Sequence, residues 1–395
     1  MPQNFNDLTF IIGTAETVEQ MQTVPAMMPF DDKAISFLNA LSAKLLKTGK
    51  AYSDVVTFAF WCRKAALINE KSKYDNDELR LGRGIAFHST PSNVPVNCAF
   101  SFAVGLLAGN PNIVRLPAKD FPQVTLICEA VKATLEEQPD MRSYVVFVRY
   151  AHSQEISDYF SSICATRIVW GGDQTIEHMR QSPLPPRAKE ITFADRHSIL
   201  VLNAEAVLAE ENTNRMAQDF YNDTFFSDQN ACTSPRIIIW LGKDIEKAKE
   251  KFWSAVYKLV KDKYTLAPVQ AVGKLAAFYR ASAQKDIQLL PHQDNFIYRL
   301  KVDKLDADLP DSKYNSGFFF EYDACSLKEI APVCSNKCQT MTYFGVNKDD
   351  IVDFIRTVAP QGIDRIVPMG KSMDFTLVWD GYDLIRELSR IVKVL

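Results

Sequence analysis

From Gly84 onward the chain alternates short β-rich apolar runs with segments of helical spacing, and this alternation restricts the fold more than any other feature. The runs fall at 85–87, 113–116, 144–148, 167–170, 190–193 and 199–202. Strands that alternate with helices need crossover connections, so they predict a largely parallel sheet covered on both faces, as in a nucleotide-binding domain. A second α/β section follows. It has a helix from about 204 to 226, a loop containing Cys232, a strand at 237–241 and helical spacing over 245–260 and 269–279. Strands are expected at 296–300 and 318–322, and a helix at 349–358. Ahead of both sections, Ile35, Leu38, Leu41 and Leu45, then Val55, Phe58, Ala59 and Ala66, predict two amphipathic helices around a turn near Gly49.

These patterns define a domain plan. An N-terminal helical region (1–83) packs on a nucleotide-binding domain (84–203), followed by a catalytic domain (204–368) and a C-terminal return segment (369–395). The 395 residues suffice for separate cores, and 47% hydrophobic with 24% charged residues is globular composition. The apolar stretch 94–114 is interrupted by Asn97, Gly109, Asn110, Pro111 and Asn112, so a buried helix and strand are expected rather than a membrane span. A net charge of −3 leaves no basic excess for nucleic acid. The polar, acidic start lacks a secretory pattern, which predicts a cytoplasmic protein with eight reduced cysteines. Cys334 and Cys338 stand four apart, but no second pair at ligand spacing accompanies them, and the five histidines form no motif, so no metal is expected.

Cys232 lies in the polar loop 227–235, between a helix and a strand, whereas the other cysteines mostly have apolar neighbours. A nucleophilic thiol needs partial exposure with donors nearby, and this loop suits it; on the residues alone an inert small hydrophobe is the commoner role. Asn93 sits where a strand turns into an apolar helix. Its amide could stabilise an oxyanion or simply cap that helix. Gly171 and Gly172 end one strand and open a helix, the place for a cofactor phosphate or for a plain turn. Arg115 ends another strand, as a phosphate ligand or a structural arginine. Glu329 opens Glu329-Ile330-Ala331-Pro332-Val333, which by itself is a helix end stopped by proline.

Taken in order, these segments resemble the aldehyde-dehydrogenase superfamily, and most closely its LuxC-like long-chain acyl-CoA/acyl-protein reductases, from about Gly84 to the C-terminus. The resemblance implies a Rossmann-type cofactor domain beside an α/β catalytic domain. It makes Asn93 the oxyanion donor, places Arg115 beside the adenosine ribose and puts Gly171 and Gly172 over the pyrophosphate. The Gln-x-x-Cys motif falls on Gln229 and Cys232, and Glu329 would hold the nicotinamide ribose. Gln339-Thr340-Met341-Thr342, Gly362-Ile363-Asp364-Arg365-Ile366 and Trp379-Asp380-Gly381 are similar to the LuxC-like branch itself. The first 83 residues match poorly.

One departure concerns mechanism. Hydrolytic members carry a general-base glutamate where this chain has Thr192, which leaves no evident carboxylate to activate water. The resemblance therefore implies reduction of a fatty acyl thioester to an aldehyde. Two alternatives are a hydrolytic aldehyde dehydrogenase and a cysteine-dependent acyltransferase without hydride transfer. Arg115 in place of lysine suits a 2′-phosphate, so NADPH is expected over NADH. Expected partners are an acyl-CoA or acyl-protein donor, an acyl-protein synthetase and further copies of the chain.

Overall fold

A computed structural model describes residues 7–74, 78–91, 94–291 and 293–395. The chain forms two compact units, Met1–Ala194 with Tyr382–Leu395, and Asp195–Gly381. The division falls just before the strand at 197–203 rather than after it, and the C-terminal segment is split between the units.

The first unit contains β1 (Thr9–Ile12), β2 (Arg80–Gly82), β3 (Ala86–Ser89), β4 (Asn112–Arg115), β5 (Val145–Arg149), β6 (Thr166–Trp170) and β7 (Lys189–Phe193). Six of them form a sheet in the order β1-β5-β4-β3-β6-β7, all parallel except β1. The chain runs outward from β3 through β4 to β5, then crosses back to β6 and β7. That reversal between β3 and β6 is the switch point at which doubly wound sheets bind ligands beyond the strand carboxyl ends. β2 pairs antiparallel with Ser389–Ile391.

Burial explains the local structure. Phe87, Ile113, Val146, Val148 and Val169 point to one face, where Ile156, Phe160, Ile176 and Met179 from two helices cover them. The helix Asn97–Leu107 is buried along almost its whole length, as the interrupted apolar stretch predicted. Its Gly105 backs onto β4 so closely that a Cβ would collide with Asn112 Oδ1, which leaves glycine no substitute. His88 is a satisfied core residue, bonded to Ser101 Oγ at 2.7 Å and Asn112 Oδ1 at 2.9 Å, and burial pulls it down to about 4, so it stays neutral. Where two helices were expected around Gly49 the described residues form three: Asp32–Thr48, Ser53–Trp61 and Lys64–Ser72. β1 and the helix Ala15–Met21 were not foreseen.

The second unit contains β8 (His197–Asn203), β9 (Pro235–Leu241), β10 (Gln288–Leu289), β11 (Tyr298–Lys301), β12 (Phe318–Asp323), β13 (Cys338–Phe344) and β14 (Arg365–Pro368), in the order β10-β11-β12-β9-β8-β13-β14. Only β10 is antiparallel to its neighbour. Alternation distributes the uninterrupted apolar runs over two cores. Ile199, Val201, Ile237, Ile239, Phe318 and Phe320 lie in one, and Leu200, Leu202, Ile238, Trp240 and Phe319 in the other. Both faces are thus dry, which is why these strands show no polar alternation. The single helix expected to about 226 is two, Ala204–Ala209 and Thr213–Asp223, because Asn203 and Asn212 each cap a new start. A 3₁₀ turn, Phe225–Ser227, follows and leads into the Cys232 loop.

Candidate active site

Cys232 sits at the amino ends of the second sheet, on a loop whose shape is set by one buried side chain. Gln229, at φ 58° and fully buried, donates to the carbonyls of Pro235 (3.0 Å) and Phe318 (3.1 Å). Its Oε1 accepts from the amides of Gly317 (3.0 Å) and Phe318 (3.1 Å). An amide is the side chain that can donate twice and accept twice, so glutamine joins the loop to the starts of β9 and β12. Arg236 clamps the other side: Nη2 donates to Gln229 O (2.8 Å), and Nη1 to Tyr314 O and Asn315 Oδ1, both at 2.7 Å. Ser198 Oγ, near the start of β8, donates to Cys232 O (2.7 Å) and accepts from the Thr340 amide (3.3 Å). Thr233 Oγ1 lies 3.3 Å from Met373 Sδ.

Cys232 is half-buried as a residue. Burial pushes its thiol up to about 11 and the Asp380 carboxylate adds to the rise, while a hydrogen bond from Gln339 and the Arg196 guanidinium oppose it. Gln339 Nε2 also donates to Asp380 Oδ1, and Arg196 lies 3.7 Å from the same oxygen while pairing with Asp364. Asp380 is itself buried, which raises its carboxyl. The resting thiol is therefore protonated at neutral pH, beside Gln339, Asp380 and Arg196. Arg196, Gln339 and Asp380 had no role assigned from sequence. Gln339 and Asp380 lay in motifs noted only as branch features, and that association was the available signal.

Arg115 and the glycine pair lie together at the carboxyl edge of the first sheet. The Arg115 guanidinium stacks 4.4 Å from the Tyr150 ring centroid, with Nη2 3.4 Å from Ala151 O, which leaves the rest of its fork available. Gly171 packs on Thr175, where a Cβ would come within 2.8 Å. Gly172 opens the helix Asp173–Arg180 without a side-chain cap, and the space a Cβ would take is empty to 4 Å. The uncapped helix start and the open space at Gly172 are compatible with a pyrophosphate there. Glu329 occupies the 3₁₀ turn Leu327–Val333, its oxygens accepting from Cys325 N and Tyr322 OH, both at 3.1 Å. Asn93 lies outside the described residues. Among the described residues there is no cluster of three or more potential metal-ligating side chains, and no helix is long and apolar enough to cross a membrane.

Two α/β units with these sheet orders are an aldehyde-dehydrogenase fold. Similar solved structures include a mutant of Thermus thermophilus 1-pyrroline-5-carboxylate dehydrogenase (TM-score 0.66, 12% identity, 96% of this chain and 85% of that one). Another is the NAD-dependent benzaldehyde dehydrogenase of Corynebacterium glutamicum (TM-score 0.64, 15% identity, 95% and 86%). Within that fold the chain belongs to the acyl-CoA reductase (LuxC) family, whose model matches residues 14–393. Its relatives include long-chain acyl-protein thioester reductases. That of Photorhabdus laumondii subsp. laumondii is 24% identical over 324 residues (78% of this chain, 63% of the relative). That of Vibrio harveyi is 27% identical over 170 residues (43% and 34%). The matches thus span from about a third to under two thirds of these relatives' own lengths.

Proposed function

We propose that this protein is an oxidoreductase that reduces a fatty acyl thioester, carried by coenzyme A or by a protein, to the aldehyde through a thioacyl-Cys232 intermediate. The observation that carries the reading is the Cys232 loop itself, a half-buried cysteine on a backbone held by Gln229, Arg236 and Ser198 beside Gln339, Asp380 and Arg196. Family membership and the relatives' names as acyl-protein thioester reductases support the same chemistry.

In this reading the Cys232 sulfur attacks the thioester carbon and expels the carrier thiol, leaving the acyl group on the enzyme. The Cys232 amide and Asn93 are the proposed oxyanion donors. Because the thiol begins protonated, its proton must leave as the sulfur attacks and ends on the expelled carrier thiol, with the Asp380 carboxylate, which accepts from Gln339, as the proposed relay. Arg115, Gly171, Gly172 and Glu329 would hold a nicotinamide dinucleotide. When bound, it supplies the hydride that turns the thioacyl group into a thiohemiacetal, which collapses to aldehyde and free Cys232. Arg115 favours NADPH over NADH. Thr192 at the hydrolytic base position disfavours release of a free acid. Further copies of the chain and an acyl-protein synthetase are proposed partners.

A cysteine-dependent acyltransferase is a second reading, drawn from Glu329, whose two oxygens are already engaged within their own turn. NADPH oxidation with a panel of acyl-CoAs, beside Cys232→Ala, separates the two. Aldehyde formation abolished by the substitution supports the reductase, whereas acyl transfer with no NADPH consumption supports the transferase.

A further inference from the structure

The helix Pro268–Ser282 buries Lys274 completely, and its ammonium is bonded not to a carboxylate but to three backbone carbonyls. They belong to Asn295, to Phe296 (3.0 Å) and to Ser316 (2.7 Å), and the charge also lies 5.2 Å from the Tyr298 ring centroid. A buried lysine is costly unless all three of its donors are used, and here each has a carbonyl. Burial pulls the group down to about 7, with the Asp294 carboxylate acting the other way.

The Ser316 carbonyl and the Gly317 amide are the two ends of one peptide group. Lys274 grips the carbonyl end, and the amide end donates to Gln229 Oε1 at 3.0 Å. Ser316 has φ 62° and Gly317 φ 86°, so the peptide lies between two residues in the left-handed region, a conformation that costs energy at the non-glycine Ser316 and has to be held by its surroundings. A flip of this peptide would take both hydrogen bonds with it. The Ser316 amide also donates to Asp228 O (3.0 Å), and Asp228 and Gln229 are themselves left-handed. The Cys232 loop thus rests on a strained segment oriented from beneath by one buried lysine.

We propose that Lys274 is a positioning residue for Cys232: by fixing the Ser316–Gly317 peptide, it holds Gln229 and the loop in the form that presents the thiol. This rests on Cys232 being the nucleophile. Lys249 offers a matched control. It too is buried in this unit, but it pairs with Asp323 (2.7 Å) and Glu246 (2.9 Å) at the far end of β12.

The test compares Lys274→Met with Lys249→Met in the full chain, reading Tm, kcat, KM for NADPH and the rate of Cys232 alkylation by iodoacetamide at pH 8, followed on the Cys232 peptide. In Lys274→Met, a loosened loop should expose the thiol, raising alkylation at least fivefold, while kcat falls at least tenfold and KM stays within twofold. Lys249→Met should lower Tm with alkylation and kcat within twofold of wild type. Alkylation within twofold of wild type in Lys274→Met, or an equal rise in Lys249→Met, overturns the proposal. The alkylation arm needs no turnover, so an inactive wild-type enzyme would count against the reductase reading alone. If Lys274→Met does not fold, hydrogen exchange in the wild type decides. The Gly317 and Phe318 amides should exchange as slowly as the centre of β12, and fast exchange would overturn the proposal.

Discussion

Replacing Gln229 by alanine tests the architecture of the site at its most connected point. The substitution strands the Gly317 and Phe318 amides, which lose their shared acceptor inside the protein, and removes donors from the carbonyls of Pro235 and Phe318. An orphaned buried donor costs roughly 1–3 kcal/mol, so two give about 2–6 kcal/mol, and partial relaxation brings the expected loss to about 3 kcal/mol. In a unit of this size that lowers Tm by roughly 6–12 °C. Gln229→Glu sharpens the test, since a carboxylate accepts from the amides but cannot donate to the carbonyls, and it should destabilise at least as much as alanine. Calorimetry on the full chain, with acylation of Cys232 measured alongside, gives both readouts. A Tm within about 1 °C of wild type and unchanged acylation for Gln229→Ala would refute the reasoning that this side chain organises the loop.

Four other outcomes are expected. Because burial and Asp380 hold the Cys232 thiol up to about 11, its alkylation rate should rise about tenfold per pH unit from 7 to 10 rather than level off near 8.5. Asp380→Asn should speed alkylation at pH 8 roughly threefold or more; a slower rate would contradict the assignment. Asp223 is buried, accepting from the amides of Gly370 (2.6 Å) and Ser372 (2.9 Å), and burial raises it to about 6. The folded state therefore holds its proton more tightly than the unfolded chain, so this group's stabilisation is complete below about pH 4 and is lost as pH rises through 6. Asp223→Asn, which keeps no titrating group, starts with a stability deficit that should narrow by up to roughly 3 kcal/mol between pH 4 and 7 in urea titrations; a widening deficit would contradict this. Finally, Arg115→Ser should raise KM for NADPH at least tenfold and leave NADH within about threefold, an expectation that equal effects on both cofactors would overturn.

Much of the fold was legible because the strands of both sheets are buried on two faces. Continuous apolar runs such as 199–202 and 318–320 have few other uses in a chain of this composition. β1 escaped notice for the opposite reason: it is a four-residue edge strand, mostly half-exposed, whose place depends on pairing with β5 across more than a hundred residues. The chain after 203 showed continuous helical spacing, and only the capping asparagines reveal that it breaks.

The site was legible in part. Cys232 stood out by its polar loop, and Gln229 by its spacing from the cysteine. The environment of the thiol did not, because Arg196, Gln339 and Asp380 come from distant segments and meet only when β8 and β13 pair. Lys274 was invisible for a similar reason, since a lysine on an amphipathic helix is expected to face water. Its burial is explained by carbonyls that the fold turns toward it.

The most direct test of the central claim is to mix the protein with a long-chain acyl-CoA in the absence of nicotinamide and locate the acyl group by peptide mass spectrometry. The account predicts a thioester on Cys232 that disappears when NADPH is added, with one aldehyde released for each NADPH consumed. An acyl group on another residue, or one that leaves as free acid irrespective of NADPH, would contradict it.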